Sequence, residues 1–571
     1  MEFKQVKANL KKDFTGFKKI KVAILADSAT QYLAQAIRGV GYEKKLDIEI
    51  WEADYDSVDI TVRDEGSELY RFKPDFVFLF LSSQKLKKKF YKTGSDINFA
   101  DDQVIYLKEV VKNISSHIKT NFLLFNFPDV LDSVFGNFAG KVNSSFSYQV
   151  KKLNLELMNW VQKDASAYLI DLCGLQALYG ASNAIDNRLY ISSDVIFSID
   201  FVVHVATNCV QVIDAFTGNS KKCLILDLDN TLWGGIIGDD GLENIQIGDL
   251  GIGKVYTEIQ LWIKALKERG IILAVCSKND EVNAREPFEK HPDMVLHSDD
   301  IAVFVANWSN KHDNIKYIQS VLNIGFDSMV FIDDNPFERN MVRTYLPDVC
   351  VPELPEDPVE YLLFLSKLNL FETNSYTEED KDRTLLYKSE ALRNEASRTY
   401  TSEADFLASL NMVSEVAAFD PFSIPRVSQL TQRSNQFNLR TKRYTEAEVK
   451  HMVSEKDRYV TFAFILADKY GSHGLIGVII LEKRNSNTLF VDTWIMSCRV
   501  LKRGMEQFML NEIMAYARNN SFTEVLGEYI ETKKNGMVKD HYRNFGFIEK
   551  SNLWFYDVSD YKPVDGYITK Q

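Results

Sequence analysis

The 571-residue chain has only six cysteines, 12 prolines and eight histidines, and none of its apolar runs is long. Cys173, Cys209, Cys223, Cys276, Cys350 and Cys498 include no pair at C-x-x-C spacing, and most lie in apolar stretches such as 222–228 and 270–277. That pattern excludes a zinc ribbon or a disulfide framework and reads as reduced thiols of a cytoplasmic protein. The strongest apolar run, FVFLFL at 76–81, is far short of the ~18–20 residues that span a bilayer. The opening segment MEFKQVKANLKKDF has no apolar signal core. Positive charge is in deficit, with 67 Lys and Arg against 80 Asp and Glu and a net charge of −13. A general nucleic-acid or anionic-membrane binder needs the opposite field, so no nucleic acid and no membrane insertion are expected. No internal repeat or low-complexity tract is visible.

What is present is globular. Hydrophobic residues are 45% and aromatics 12%, with 37 Phe and 26 Tyr, enough to build cores rather than a disordered chain. At ~150 residues per domain the length predicts three or four domains. From about 18 to 215, the runs 20–26, 76–81, 122–127 and 168–172 read as buried parallel strands with helical crossovers between them. A second β-α-β region begins at 221, with strands at 223–226, 271–275 and 328–332 and a helix at 254–269 carrying Val255, Ile259, Ile263 and Leu266 on one face. Residues 372–400 are charge-rich and helical in period, a connector. From about 403, strand-like runs at 459–466, 475–481 and 489–496 precede a helix at 504–518. The fold class read from these patterns is multidomain α/β.

The chemistry-bearing residues collect just past strand ends in the middle region, where ligands bind in open α/β sheets. Asp227-Leu-Asp229-Asn-Thr231 follows one strand, Ser277 ends the next, Lys311 follows, and Asp333-Asp334 closes a third. Paired carboxylates offer hard oxygens to a magnesium ion, and a carboxylate can also attack phosphorus. In order and type these elements match the four motifs of the haloacid dehalogenase superfamily of phosphotransferases.

The resemblance goes further. DLDNTLWGGIIGDDG at 227–241, LAVCSKND at 273–280, NWSNK at 307–311 and FIDDNPFE at 331–338 resemble the FkbH-like family, over about 221–550. This resemblance implies a magnesium-dependent enzyme of the capless phosphatase-like branch. Such an enzyme would take the glyceryl unit of 1,3-bisphosphoglycerate, release phosphate, and hand the acyl group to the phosphopantetheine thiol of an acyl carrier protein, in polyketide or surface-polysaccharide synthesis. It casts Asp227 as nucleophile and metal ligand, and Asp229 as acid/base with its backbone carbonyl on the metal. Asp333 and Asp334 complete the metal site, Ser277 and Lys311 hold phosphate, and Thr231 orients the nucleophile loop. Cys276 reads two ways, as the thiol that carries the acyl group or as the end of a buried strand. Trp233 in the glycine-rich segment 233–238 reads as a cover for the substrate or as part of a plain hairpin. Only 45 residues separate Thr231 from Ser277, too few for a large cap.

The C-terminal region resembles the GNAT acyltransferase fold. There the turn Arg499–Gly504 would meet a pyrophosphate or pantetheine phosphate through Arg499, Arg503 and Gly504. Asn535 and Tyr542 complete that acyl or pantetheine site, with CoA as an alternative ligand and Tyr542 as the acid for a leaving thiolate. The loop departs from the usual GNAT pattern by having one glycine. Gln429–Tyr444, with Ser434-Asn-Gln-Phe-Asn438, reads as a functional polar surface. The N-terminal region resembles a degenerate SGNH-type α/β domain, with Ser28 after the first strand as a would-be nucleophile or a helix N-cap and Asn126 as a weak oxyanion donor. Asp200 and His204 stand four apart, not the three of that fold's Asp-x-x-His. The expected domains are 1–218 (SGNH-like), 219–370 (phosphatase-like), 371–402 (connector) and 403–571 (GNAT-like). Two other readings remain at this level: a phosphatase of a sugar phosphate or similar metabolite, and a phosphate-binding assembly scaffold.

Overall fold

The computed structural model describes residues 1–381, 383–397 and 399–571, and the side chain of Cys498 lies outside the described residues. The chain forms two compact units, 1–214 and 215–571. The boundaries drawn from sequence at 370 and 402 therefore fall inside one packed body. Among the described residues no helix is long and apolar enough to cross a membrane.

The first unit is a parallel sheet of β1 (Lys18–Ala26), β2 (Leu46–Glu52), β3 (Phe76–Phe80), β4 (Asn121–Phe125) and β5 (Ala167–Ile170), in the order β2-β1-β3-β4-β5. That is a doubly wound arrangement. All five residues of β3 are buried because helices cover both faces. The sequence reading missed β2, LDIEIWE, because it is an edge strand whose exposed positions carry acids.

The second unit holds two sheets. The first contains β6 (Cys223–Leu226), β7 (Ile272–Ser277), β8 (Ile301–Ala306) and β9 (Met329–Ile332), all parallel, in the order β8-β7-β6-β9. Side chains alternate between its faces. Leu224, Leu226, Leu273 and Val275 join one core, while Cys223, Ile225, Ile272, Ala274 and Cys276 join the other. The second sheet adds β10 (Met412–Ala417), β11 (Tyr459–Asp468), β12 (Gly471–Lys483), β13 (Thr488–Met496), β14 (Glu524–Gly527), β15 (Ile548–Lys550), β16 (Leu553–Asp557) and β17 (Ile568–Lys570). Its order is β15-β16-β14-β13-β12-β11-β10-β17, antiparallel except for β13·β14 and β10·β17. The helix Met505–Asn519 makes the crossover from β13 to β14, and Arg383–Ser397 packs against β7, β8 and β12, tying the two sheets together.

Candidate active site

Because β6, β7 and β9 run parallel, the residues that follow them converge at one end of the sheet. Asp227 follows β6, Ser277 ends β7, and Asp333 and Asp334 follow β9. Carboxylate oxygens of Asp227, Asp333 and Asp334 lie within 4.8 Å of one another. Lys311, at the start of the helix Lys311–Leu322, reaches into this group with Nζ 2.9 Å from Asp227 Oδ1 and 2.6 Å from Asp333 Oδ2. Asp227, Lys311 and Asp333 are all buried. Burial, then the charge of Asp227, pushes Asp333 up to about 7 and Asp334 up to about 6. Burial alone would weaken the Lys311 ammonium, but Asp227 and Asp333 outweigh it and hold its pKa up.

Three carboxylates facing one ammonium leave negative charge in excess. Asp227 Oδ1 is buried and has no hydrogen bond of normal geometry beyond that ion pair. Clustered hard oxygens with an orphaned lone pair fit a small divalent cation. The Asp229 carboxylate stands outside the cluster. It accepts from Trp233 Nε1 (3.0 Å), Ile237 N (3.0 Å) and Asn279 Nδ2 (2.8 Å). Thr231 Oγ1 accepts from Asp334 N at 3.2 Å, so it fixes the Asp333-Asp334 turn onto the nucleophile loop. Ser277 is buried beside Asn279, whose Nδ2 is 3.2 Å from its Oγ.

The sequence reading missed two supporting residues. Arg339 donates to the carbonyls of Asp333 (2.9 Å) and Asp334 (2.6 Å) and so holds the acidic turn in place. Asn279 links Asp229 to Ser277, and its only signal in sequence is an amide two residues past the serine.

Two residues that the sequence left open between two readings have defined places here. Cys276 points into the apolar core on the far face of β7 and is fully buried, with burial pushing its thiol well above the ordinary range. The side chain of Ser277, the next residue, takes the opposite face, as strand alternation requires. A thiol so placed is neither ionised nor reachable, so Cys276 is a core residue and not an acyl carrier. Trp233 is likewise fully buried, edge-on to Phe288 with centroids 6.0 Å apart, and does not cover a substrate. It instead fixes Asp229. The 233–246 segment is a hairpin, with Gly234 and Gln246 exchanging backbone hydrogen bonds at 3.0 and 2.8 Å.

The crystal structure of the N-terminal part of the protein BF1531 from Bacteroides fragilis, containing a phosphatase domain complexed with Mg, is 50% identical to this chain. The match covers 66% of this chain and all of that one, with a TM-score of 0.64. The model of the FkbH N-terminal domain matches residues 21–214. The chain belongs to the FkbH-like family. The part of the chain matched by that structure contains a phosphatase domain of the haloacid dehalogenase type. Ard1 from Thermoplasma volcanium aligns at 16% identity over 25% of this chain and 95% of its own, with a TM-score of 0.20. The spermidine N-acetyltransferase from Vibrio cholerae in complex with CoA and spermine aligns at 13% over 26% and 96%, with a TM-score of 0.21. No curated protein matches the chain.

In this FkbH-like chain the expected acyl or pantetheine site of the C-terminal sheet is already filled by the chain itself. Arg503 is buried and paired with Glu390 and Asp468. Gly504 (φ 82°) caps the helix Met505–Asn519, at whose start Glu506 accepts from Lys502 N at 3.3 Å, which puts a carboxylate where a pyrophosphate would dock. Asn535 spends its amide on the carbonyls of Asn438 (3.0 Å) and Ile530 (2.9 Å). Tyr542 is buried against Gly527, where a Cβ would sit 2.2 Å from its ring, so its phenol meets no substrate. Past Phe490 and Leu526, β13 has no ladder to β14. The segment 437–439 fills that space: Met496 N donates to Phe437 O (3.2 Å), Leu439 N to Trp494 O (3.4 Å) and Ile530 N to Leu439 O (2.9 Å). The Asn-Gln-Phe-Asn stretch is therefore largely a strand plug. Arg499 remains beside a cavity.

In the first unit, Ser28 is buried but does not cap a helix, because Thr30 holds the N-cap position of Gln31–Glu43. Asn126 is committed to Asp171 Oδ1 (2.7 Å) and to the backbone N of Cys173 (3.0 Å), and His204 pairs with the Tyr179 hydroxyl at 2.5 Å. These contacts make Asn126 a structural residue.

Two buried histidines give the C-terminal sheet a pH signature. Burial pushes His473 down to about 4 and His541 down to about 3. Both are neutral when folded but bind a proton below about 6.5 when unfolded. Their contribution is thus complete above that value and is lost as pH falls towards the folded pKa. Between pH 7 and pH 5 each histidine should cost the second unit at most about 2 kcal/mol, opposed by the raised Asp333 and Asp334, which take up protons on folding over the same range. Urea melts of His541→Phe beside the parent should show the His541 share as a difference between the two pH slopes.

Proposed function

We propose that this chain is a magnesium-dependent phosphatase and phosphotransferase that removes phosphate from a phosphorylated three-carbon acyl donor of the 1,3-bisphosphoglycerate type. It then serves transfer of the glyceryl unit to an acyl carrier protein. The single observation that carries the catalytic half is the Asp227/Asp333/Asp334 cluster with Lys311 inside it.

Magnesium held by Asp227, Asp333 and Asp334 supplies charge neutralisation at the phosphoryl group. Asp227 attacks phosphorus and takes the phosphoryl group while the P–O bond to the donor's alcohol oxygen breaks. Asp229, held in its own hydrogen-bond set, protonates that oxygen and then takes a proton from the water that hydrolyses the aspartyl phosphate. Lys311 and Ser277 bind the phosphoryl oxygens. Acyl transfer goes directly to the carrier: its thiolate forms the C–S bond at the acyl-phosphate carbon and the bond to the departing phosphate breaks. The carrier thiol takes this role because Cys276 is buried.

A protein-borne substrate is favoured by the open end of the sheet. The hairpin and short helix Ile237–Asp240 between β6 and β7 form no cap. Ile236 and Trp308, on loops leaving that end, and Phe337, in the first turn of the helix Pro336–Tyr345, are 44%, 76% and 64% exposed, apolar groups of the kind found at docking surfaces.

The test uses the full chain with magnesium, 1,3-bisphosphoglycerate and a carrier protein, read by intact mass and phosphate release. The expected result is glyceryl mass on the carrier, none on this chain, and loss of phosphate release with EDTA. Equal turnover of sugar phosphates with no acylated carrier would sink the transfer reading and leave a simple metabolite phosphatase.

A further inference from the structure

The first unit carries a basic, partly apolar surface at the carboxyl end of its sheet. Because β3 and β4 pair in parallel, the segments that leave their ends lie side by side: the helix Ser83–Lys92 and the loop 128–145. Together these segments hold six lysines, Lys85, Lys87, Lys88, Lys89, Lys92 and Lys141, against two acids, Asp129 and Asp132. The whole chain, by contrast, has a net charge of −13.

Helical spacing sorts these lysines. Ser83, Leu86 and Phe90 form the buried stripe of the helix. Lys85 and Lys89 turn to one side of it, towards Tyr55 and Gln103. Lys87 and Tyr91 turn to the other side. There Lys87 donates to Leu131 O (2.7 Å) and pairs with Asp132 (3.3 Å), and the Tyr91 hydroxyl donates to Asp132 (2.9 Å). Lys88, three residues before Tyr91 and four before Lys92, is their neighbour on the helix surface. Lys88 and Lys92 are exposed, and among the described residues neither has an ion-pair partner.

The same bonds hold the loop. They leave the Asp132 side chain only 4% exposed, Lys151 pairs with Asp129 at 3.1 Å, and Ser145 Oγ donates to Ala139 O at 2.9 Å. Tyr91 also meets Phe146, the residue after that serine, with ring centroids 6.4 Å apart. A loop tied at these points presents its outward side chains in fixed positions, so binding orders little that is not already ordered. Those side chains are Leu131, Val134, Phe135 and Phe138, 90%, 64%, 42% and 60% exposed. Lys141 Nζ stands 5.9 Å from the Phe138 ring. Clustered apolar groups rimmed by cations fit a partner with apolar side chains set among carboxylates.

We propose that the Lys88–Lys92 ridge and the loop 131–138 are the docking surface for the acyl carrier protein, an acidic helical partner. Its carboxylates meet the lysines and its apolar side chains meet the loop. The inference rests on the reading that a carrier protein accepts the acyl group. A small protein is the occupant, rather than a lipid surface, because attraction is confined to this patch. A partner within about one Debye length (~8 Å) feels the local lysines, whereas an extended anionic surface feels the negative field of the whole chain.

Calorimetric titration of the full chain with an apo acyl carrier protein, which lacks the phosphopantetheine thiol, reads docking without chemistry. One-to-one binding that weakens as salt is raised is expected. Affinity should fall at least tenfold in the double variant Lys88→Glu, Lys92→Glu and several-fold in Leu131→Ser, Phe135→Ser. All four residues are exposed, so both variants should release phosphate from 1,3-bisphosphoglycerate at the parent's rate when no carrier is present. No binding at millimolar carrier, or the parent's affinity in both variants, would overturn the proposal. So would phosphatidylserine vesicles that bind the parent but neither variant, or a dimer of this chain that either variant dissolves, because lipid or a second copy would then be the occupant. Failure of the transfer reading looks different: the carrier binds through this surface, yet its holo form gains no glyceryl mass.

Discussion

An Asp227→Asn chain should release phosphate at least about 10³-fold more slowly than the parent, in kcat, while remaining folded. The amide keeps the volume but cannot attack phosphorus, and it removes one of three clustered charges from the cation site. Asp227 sits in a group whose excess negative charge works against the fold, since burial and mutual repulsion push Asp333 and Asp334 above the usual carboxylate range. The same substitution should therefore leave the melting temperature unchanged or raise it, as expected where stability is given up for function. Phosphate release with thermal melts on one preparation checks both halves. Undiminished phosphate release from Asp227→Asn would remove the residue from the chemistry, whereas no phosphate release from the parent chain would favour a scaffold that only binds phosphate.

Arg503→Ala should lower stability by about 3–5 kcal/mol, the effect of removing one partner from a buried ion network. Asp468 receives two hydrogen bonds from Arg393, at 2.7 and 2.8 Å, with His473 at 3.1 Å and Arg503 at 3.7 Å. Glu390, from the helix Arg383–Ser397, pairs with Arg503 across the same buried space. Deleting Arg503 leaves Glu390 and Asp468 short of a cation and loosens the helix that joins the two sheets. A residue that held pyrophosphate for catalysis would give the reverse pattern, an altered KM at unchanged stability. Urea melts of Arg503→Ala beside Arg503→Lys separate the two, since lysine keeps the charge and restores part of the stability.

The comparison of sequence with structure follows from what each kind of signal needs. Buried parallel strands such as 76–80 and 223–226 are legible because both faces are apolar. The edge strands Leu46–Glu52 and Ile301–Ala306 went unread, the first because of its acids. The candidate active site was legible because its residues fall at strand ends in a fixed order, and parallel strands bring such ends together wherever the intervening helices lie. Arg339 and Asn279 carry no such marker, because their roles come from neighbours distant in sequence.

The amino-acid sequence alone determined the α/β class, the acidic balance, the family and the residues that converge as Asp227, Lys311 and Asp333. Those depend on local pattern and on strand order. Only the tertiary structure decided which polar groups were already spoken for. Strand alternation turns Cys276 into the core while Ser277 faces the site. The network around Asp468 absorbs Arg503, and the segment 437–439 closes the space between β13 and β14. The arginines at 383, 426, 433 and 499, scattered in sequence, come to line one cavity only through the packing of the second unit. A side chain's partners and its access to solvent are properties of packing, and no residue's type or spacing encodes them.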